Sequence, residues 1–276
     1  MGSRLIPAWS EVFSAHREPI AEVLPIDREW AIGGSSGKGV RVAVVDSGVD
    51  ADHPLVAGVE GGAVVHFDPE ADPQVWVEEG PHQDLFGHGT ACAGIIRSVA
   101  PQCELLSVRV LGRHLSGKTP SIIAGVRWAL AHGANVINLS LSSGRVDLIR
   151  SWQAVAEQGY FEGTTLVCAA NNLPGRTIPA EFASVVSVAC LPGADPLSVS
   201  YNPHPPMEFG ARGIDVEVAW LRGEVITSSG NSFAAAHVSG LAALILGKHP
   251  GCTPFQLKAI LHALAQHSEA KVATPN

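Results

Sequence analysis

Three residues in well-separated stretches have the types and settings that acyl-transfer chemistry needs. Gly230-Asn231-Ser232-Phe233-Ala234-Ala235-Ala236-His237-Val238-Ser239-Gly240 is a short polar turn that passes without a break into a small-residue apolar helix. Ser232 therefore stands at a helix N-terminus, where unpaired N–H groups and the positive dipole end favour the negative charge that an attacked carbonyl develops. Gly87-His88-Gly89-Thr90-Ala91-Cys92-Ala93-Gly94 places a histidine at the opening of a second helix, and Val42-Ala43-Val44-Val45-Asp46-Ser47-Gly48 is a buried strand ending on a carboxylate. Serine is a weak nucleophile at neutral pH; it needs a base within hydrogen-bond reach and a third group that holds the base in the right tautomer. Ser232, His88 and Asp46 supply these roles. Each alone reads more readily as something ordinary, an N-cap for Ser232 or His88 and a strand-end turn residue for Asp46. The conjunction decides. Cys92, four residues after His88, is the competing nucleophile, set aside because Ser232 has the better setting.

The elements that must position these groups follow from periodicity. Arg41 to Val45 is a continuous β-branched run, as in a central parallel strand buried on both faces, and it leaves Asp46 at the C-terminal edge where open α/β sheets bind ligands. Strands are expected over residues 104–110, 135–141, 164–170 and 184–190. Helices are expected from Thr119-Pro120 to Gly133, over 146–160, and from Thr253-Pro254 to about Ala265, with paired strand from Asp215 to Thr227 leading into the Ser232 helix. This alternation argues for βαβ units and an α/β fold with a mostly parallel sheet covered on both faces. The division expected is an arm over 1–38, a single domain over 39–268 and a loose polar tail over 269–276.

Composition narrows the classes further. The chain has 276 residues, 46% hydrophobic and only 16% charged, with a formal net charge of −8. It can bury a large core, and it lacks the basic footprint of a nucleic-acid binder. The longest apolar stretch, Phe233 to Gly247, contains His237 and is too short to span a bilayer. Five cysteines without C-x-x-C spacing read as free core residues of a reducing compartment, and no apolar signal segment opens the chain. A cytoplasmic location is therefore expected, although a secreted mature form would look similar. From Val42 to Ile96 there are acidic residues but no Lys or Arg. That run reads as a solvated acidic surface loop, with an attractor for basic substrates as the alternative, and Asp68-Pro69-Glu70-Ala71-Asp72 lacks the pattern of an EF-hand loop.

The three motifs, in the order Asp46, His88, Ser232, resemble the catalytic blocks of the subtilisin-like serine proteases, or subtilases, closest in character to intracellular and processing members. The resemblance runs from about Gly39 to Ala265 and implies a serine endopeptidase acting on peptide or protein substrates through an acyl-enzyme. Leu166-Val167-Cys168-Ala169-Ala170-Asn171-Asn172 resembles the family strand ending Ala-Ala-Gly-Asn. The resemblance puts the oxyanion donor at Asn172, with Asn171 in place of the usual glycine. It likewise assigns the two substrate-pairing segments to Leu115-Ser116-Gly117 and Leu139-Ser140-Leu141-Ser142-Ser143, between which an extended peptide would insert. Pro179 matches a family proline preceded by a cis bond, and Arg4-Leu5-Ile6-Pro7 resembles a short inhibitory N-terminal element. Asn231, Phe233 and Ala236 stand where the family motif has Thr, Met and Pro. These departures are the only support for the alternative, a catalytically weak peptide-binding or scaffold protein of the same fold. Ile96-Arg97-Ser98-Val99-Ala100-Pro101 runs on without the loop that often binds calcium, so no metal or other cofactor is expected.

Overall fold

A computed structural model describes residues 25–204 and 206–269. The expected inhibitory element at Arg4-Leu5-Ile6-Pro7 and most of the expected C-terminal tail lie outside the described residues. In chain order the elements are α1 (Arg28–Ile32), β1 (Arg41–Asp46), β2 (Gly61–Phe67), β3 (Val75–Glu79), α2 (His88–Val99), β4 (Glu104–Arg109), α3 (Thr119–Ala131), β5 (Val136–Leu139), α4 (Ile149–Glu162), β6 (Thr165–Ala169), β7 (Val186–Leu191), β8 (Val199–Tyr201), β9 (Phe209–Arg212), β10 (Val216–Ala219), β11 (Val225–Ser228), α5 (Asn231–Lys248) and α6 (Pro254–Glu269).

A nine-stranded sheet runs β3-β2-β4-β1-β5-β6-β7-β9-β8, parallel from β2 to β9 with an antiparallel strand at each edge. β1 lies in its interior, paired with both β4 and β5, and every residue from Val42 to Asp46 is buried. That is why the run reads as unbroken apolar rather than alternating. The β10–β11 hairpin realises the paired strand expected before Ser232.

Two apolar layers cover the sheet. On one face α2, α5 and α6 share a core with Val42, Val44, Val167 and Val188; on the other, Ile122, Val126, Trp152 and Val155 of α3 and α4 pack on Ala43, Val45, Ile137 and Leu166. α5 is buried from Ser232 to Leu246 and packs against α2, β5, β6, β7 and β9. A helix apolar all round must lie inside the molecule, and fully burying each leucine or isoleucine contributes about 1.5–3 kcal/mol. No helix among the described residues is long and apolar enough to cross a membrane.

The acidic stretch departs from expectation. In place of a plain surface loop it contains β2 and β3, with Ala63, Val64 and Val65 buried while Trp76 to Glu79 on the edge strand face solvent. β3 is held by its ladder to β2 rather than by an apolar face, so no period-2 pattern marked it. The Ile178–Pro179 bond is cis, as the resemblance implied, and Asp72–Pro73 is cis as well.

Candidate active site

Asp46 ends β1 with its side chain fully buried, and His88 is the first residue of α2. The helix can approach the strand this closely because residue 89 is glycine: a Cβ there would meet the Gly48 carbonyl at 2.0 Å. His88 Nδ1 lies 2.9 Å from both Asp46 carboxylate oxygens. A carboxylate only accepts, so Nδ1 carries the proton and Nε2 is left as the basic nitrogen. Burial disfavours the charged ring, but the Asp46 charge and its hydrogen bond outweigh it and hold the His88 pKa above the ordinary histidine value.

A second buried carboxylate, which the sequence reading left among surface acids, holds this arrangement. Asp84 Oδ1 accepts from Ser47 Oγ (2.8 Å), Phe86 N–H (2.9 Å) and Gly87 N–H (2.8 Å), and Oδ2 accepts from Thr90 N–H (2.9 Å) and Thr90 Oγ1 (2.6 Å). It satisfies the free donors at the N-terminus of α2, where negative charge is also favoured by the helix dipole. Ser47 Oγ in turn accepts the Gly89 N–H at 3.1 Å, so the residue after Asp46 is tied to the residue after His88. The legible signal was an aspartate shortly before a helix-opening histidine, a capping pattern.

Ser232 is the second residue of α5 and nine-tenths buried. Its Oγ donates to the Ser140 carbonyl at 3.2 Å, while its own carbonyl accepts from Ser140 Oγ at 3.0 Å. No hydrogen bond joins Ser232 Oγ to His88 in this conformation; unliganded sites often tighten that contact only when substrate is present. Asn138 Nδ2 and Cys92 Sγ both donate to Ser140 Oγ, at 2.9 and 3.3 Å. Cys92 is fully buried, and burial drives its thiol pKa well up, so it lacks the thiolate a nucleophile requires. Its Sγ, His88 and Asp46 offer metal-ligand atoms within 4.8 Å of one another. The Asp46 oxygens are already engaged by His88 and by the Ser47 N–H, and the thiol stays protonated, so the trio has the chemistry of a hydrogen-bonded pair with a sulfur packed behind it.

His88 and Ser232 open onto a cleft of about 590 Å³. The cleft is also lined by Asn172, by Leu115, Ser116 and Gly117 on one side, and by Ser140, Leu141 and Ser142 on the other. Two residues of the expected substrate segments are elsewhere. Leu139 is fully buried within β5, and the N–H and C=O of Ser143 are both taken by Ile178, at 2.8 and 3.0 Å. Neither is free to pair with an incoming chain. Trp220 and Phe86, which sequence reasoning missed, complete the wall beside His88. Their rings meet edge-on with centroids 5.8 Å apart, and a Cβ on Gly87 would strike Trp220 at 2.7 Å. His237, read as structural, is buried in α5 with Nδ1 against the Phe233 carbonyl at 2.8 Å, and burial lowers its pKa.

The profile of the Subtilase family matches residues 37–274. Subtilisin of Bacillus pumilus is 33% identical over 251 residues, covering 85% of this chain and 86% of that protein. An intracellular serine protease of Paenibacillus polymyxa is 34% identical over 226 residues, covering 76% of this chain and 67% of that protein. Several further curated subtilisins are longer, and the matched stretch spans 62% of their length. The solved structure of a cold-adapted subtilisin-like serine proteinase, 29% identical, covers 82% of each chain with a TM-score of 0.63. With a profile match over nearly the whole chain, relatives this similar and the same mostly parallel α/β architecture, the protein belongs to the subtilase family, the serine endopeptidases that its three motifs resemble.

Proposed function

We propose that the protein hydrolyses peptide bonds through an acyl-enzyme, with Ser232 as nucleophile, His88 as general base and then general acid, Asp46 as the carboxylate that orients the imidazole, and Asn172 as a donor to the oxyanion. The observation that supports this most is the paired contact of His88 Nδ1 with both Asp46 oxygens, in a cleft shared with Ser232 and Asn172. That pairing leaves Nε2 basic, and the Asp46 carboxylate, which raises the His88 pKa, stabilises the imidazolium formed as Ser232 attacks. An extended substrate lies between Leu115–Gly117 and Ser140–Ser142. The Ser232 hydroxyl leaves the Ser140 carbonyl for His88 when the substrate carbonyl arrives.

Intracellular processing or turnover is the biological setting we favour. All five cysteines are unpaired, which suits a reducing compartment, and one relative is named an intracellular serine protease. No metal is assigned a role in the reaction, which the residues named above carry out themselves. The test is labelling with a serine-directed fluorophosphonate. Labelling and peptide hydrolysis that both vanish in Ser232→Ala are the expected result; wild-type turnover in that variant would refute the assignment, and a parent protein that binds peptide without labelling would mark a non-catalytic member of the family.

A further inference from the structure

Asn231 stands where the family motif usually carries threonine, and its carboxamide is fully committed to main-chain partners. Its Oδ1 accepts the Cys190 N–H at 2.8 Å, and its Nδ2 donates to the carbonyls of Ala170 and Asn171, each at 3.1 Å. These bonds tie the start of α5 to β7 and to the turn leaving β6, immediately before Asn172. The main-chain N–H of Asn231 then donates to Asn172 Oδ1 at 3.1 Å. An N–H group can only donate, so the atom it meets is the amide oxygen, and the Nδ2 donors of Asn172 are held on the other side of that carboxamide. No acceptor among the described residues takes them, and Asn172 lines the cleft with Ser232.

We propose that Asn231 is a positioning residue for oxyanion stabilisation. Its side chain immobilises the turn that carries Asn172, and its main-chain N–H selects the orientation in which Asn172 presents hydrogen-bond donors to the attacked carbonyl. The inference rests on the assignment of Asn172 as the oxyanion donor. Orientation matters because a reversed carboxamide would set an oxygen against developing negative charge, replacing an attraction with a repulsion. Threonine at 231 could not do the same: a hydroxyl has one proton and cannot hold the Ala170 and Asn171 carbonyls together. This chain has Asn171 where relatives of this motif have glycine, so the turn before the oxyanion residue carries an extra side chain, and the Asn231 bracket fixes its two carbonyls.

The test is a double-mutant cycle of Asn231→Ala and Asn172→Ala, with kcat and KM on one peptide substrate normalised to active sites titrated by fluorophosphonate. Asn231→Ala is expected to lower kcat about tenfold while KM stays within about twofold, because the contact it supports strengthens only in the transition state. In the Asn172→Ala background the same substitution is expected to change kcat less than about twofold, since the group it positions is gone. A purely structural role has no reason to disappear with Asn172. Asn231→Ser, which keeps one donor, should give a smaller loss with the same dependence on Asn172, and it completes the cycle if Asn231→Ala does not fold. Equal fold losses in both backgrounds, or a change in KM alone, overturn the proposal. Failure of the underlying assignment looks different: Asn172→Ala would keep the parent kcat while Ser232 still labels.

Discussion

Asp84→Asn is the substitution whose consequence the geometry specifies most closely, because it keeps the shape of the side chain and removes one acceptor. If the amide oxygen stays on the side of Ser47 Oγ, Phe86 N–H and Gly87 N–H, the amide nitrogen faces Thr90, whose N–H and hydroxyl both donate to Asp84 in the native protein. The Thr90 hydroxyl accepts the Asp50 N–H at 2.9 Å and has a second lone pair with which to accept from the new amide nitrogen, but a main-chain N–H can only donate. Thr90 is fully buried, and its N–H is left without an acceptor. Orphaning one buried donor costs about 1–3 kcal/mol, and weakening three charge-assisted bonds to neutral ones adds roughly 0.5 kcal/mol each, for a loss of about 3 kcal/mol. In a domain of this size that corresponds to a fall in Tm of about 6–10 °C. The assay is thermal unfolding at one scan rate in a Ser232→Ala background, which removes autolysis. A fall smaller than about 2 °C would refute the view that Asp84 anchors the start of α2. In the active protein the same change should also lower kcat/KM, since His88 is the first residue of that helix.

Ser232→Ala or His88→Ala should abolish hydrolysis with the fold retained, and Asn172→Ala should lower kcat about 10²-fold or more with little change in KM; a KM effect alone would make Asn172 a binding residue. His88 must be neutral to accept the Ser232 proton, and its pKa is raised, so kcat/KM should fall as pH drops through a midpoint above about 6.5. A midpoint at or below that value would contradict the Asp46 contact. By linkage, the His88–Asp46 contact contributes stability that is fully present below about pH 6.5 and is lost as pH rises through the folded pKa, so the Tm deficit of Asp46→Asn should shrink at alkaline pH. Arg97 donates to the carbonyls of Val56, Gly58, Pro101 and Cys103 and clamps two loops together. Arg97→Met should cost about 2 kcal/mol, read as a Tm drop near 5 °C. Tm in excess chelator should equal Tm in millimolar calcium; a drop of several degrees would reveal a site that stabilises by mass action.

The catalytic candidates were legible because their chemistry is local. Asp46 ends a valine-rich buried run and His88 and Ser232 each lie in the first turn of a helix, so each could be picked out from its own stretch, while the fold sets His88 against Asp46 and opens it with Ser232 onto one cleft. The βαβ alternation and the buried character of α5 were readable for the same reason, since periodicity reports which faces lose water. Where an extended segment is held by its neighbours instead of by its own pattern, sequence was silent. β3 exists through its ladder with β2, and its exposed glutamates read as loop. Segment membership likewise did not decide accessibility: Leu139 and Ser143 flank cleft residues, yet one is enclosed in the sheet and the other is paired with Ile178. Asp84 and Asn231 show the same limit. An aspartate shortly before a helix-opening histidine could be read as a cap, but not as a buried carboxylate tied to Ser47, and a carboxamide bridging β7 and the turn after β6 looks like any amide in one dimension. Asp84 draws four of its five donors from nearby Phe86, Gly87 and Thr90, but its link to Ser47 and the contacts of Asn231 with Ala170, Asn171 and Cys190 join residues distant in sequence, and only the folded chain brings those groups within hydrogen-bond reach.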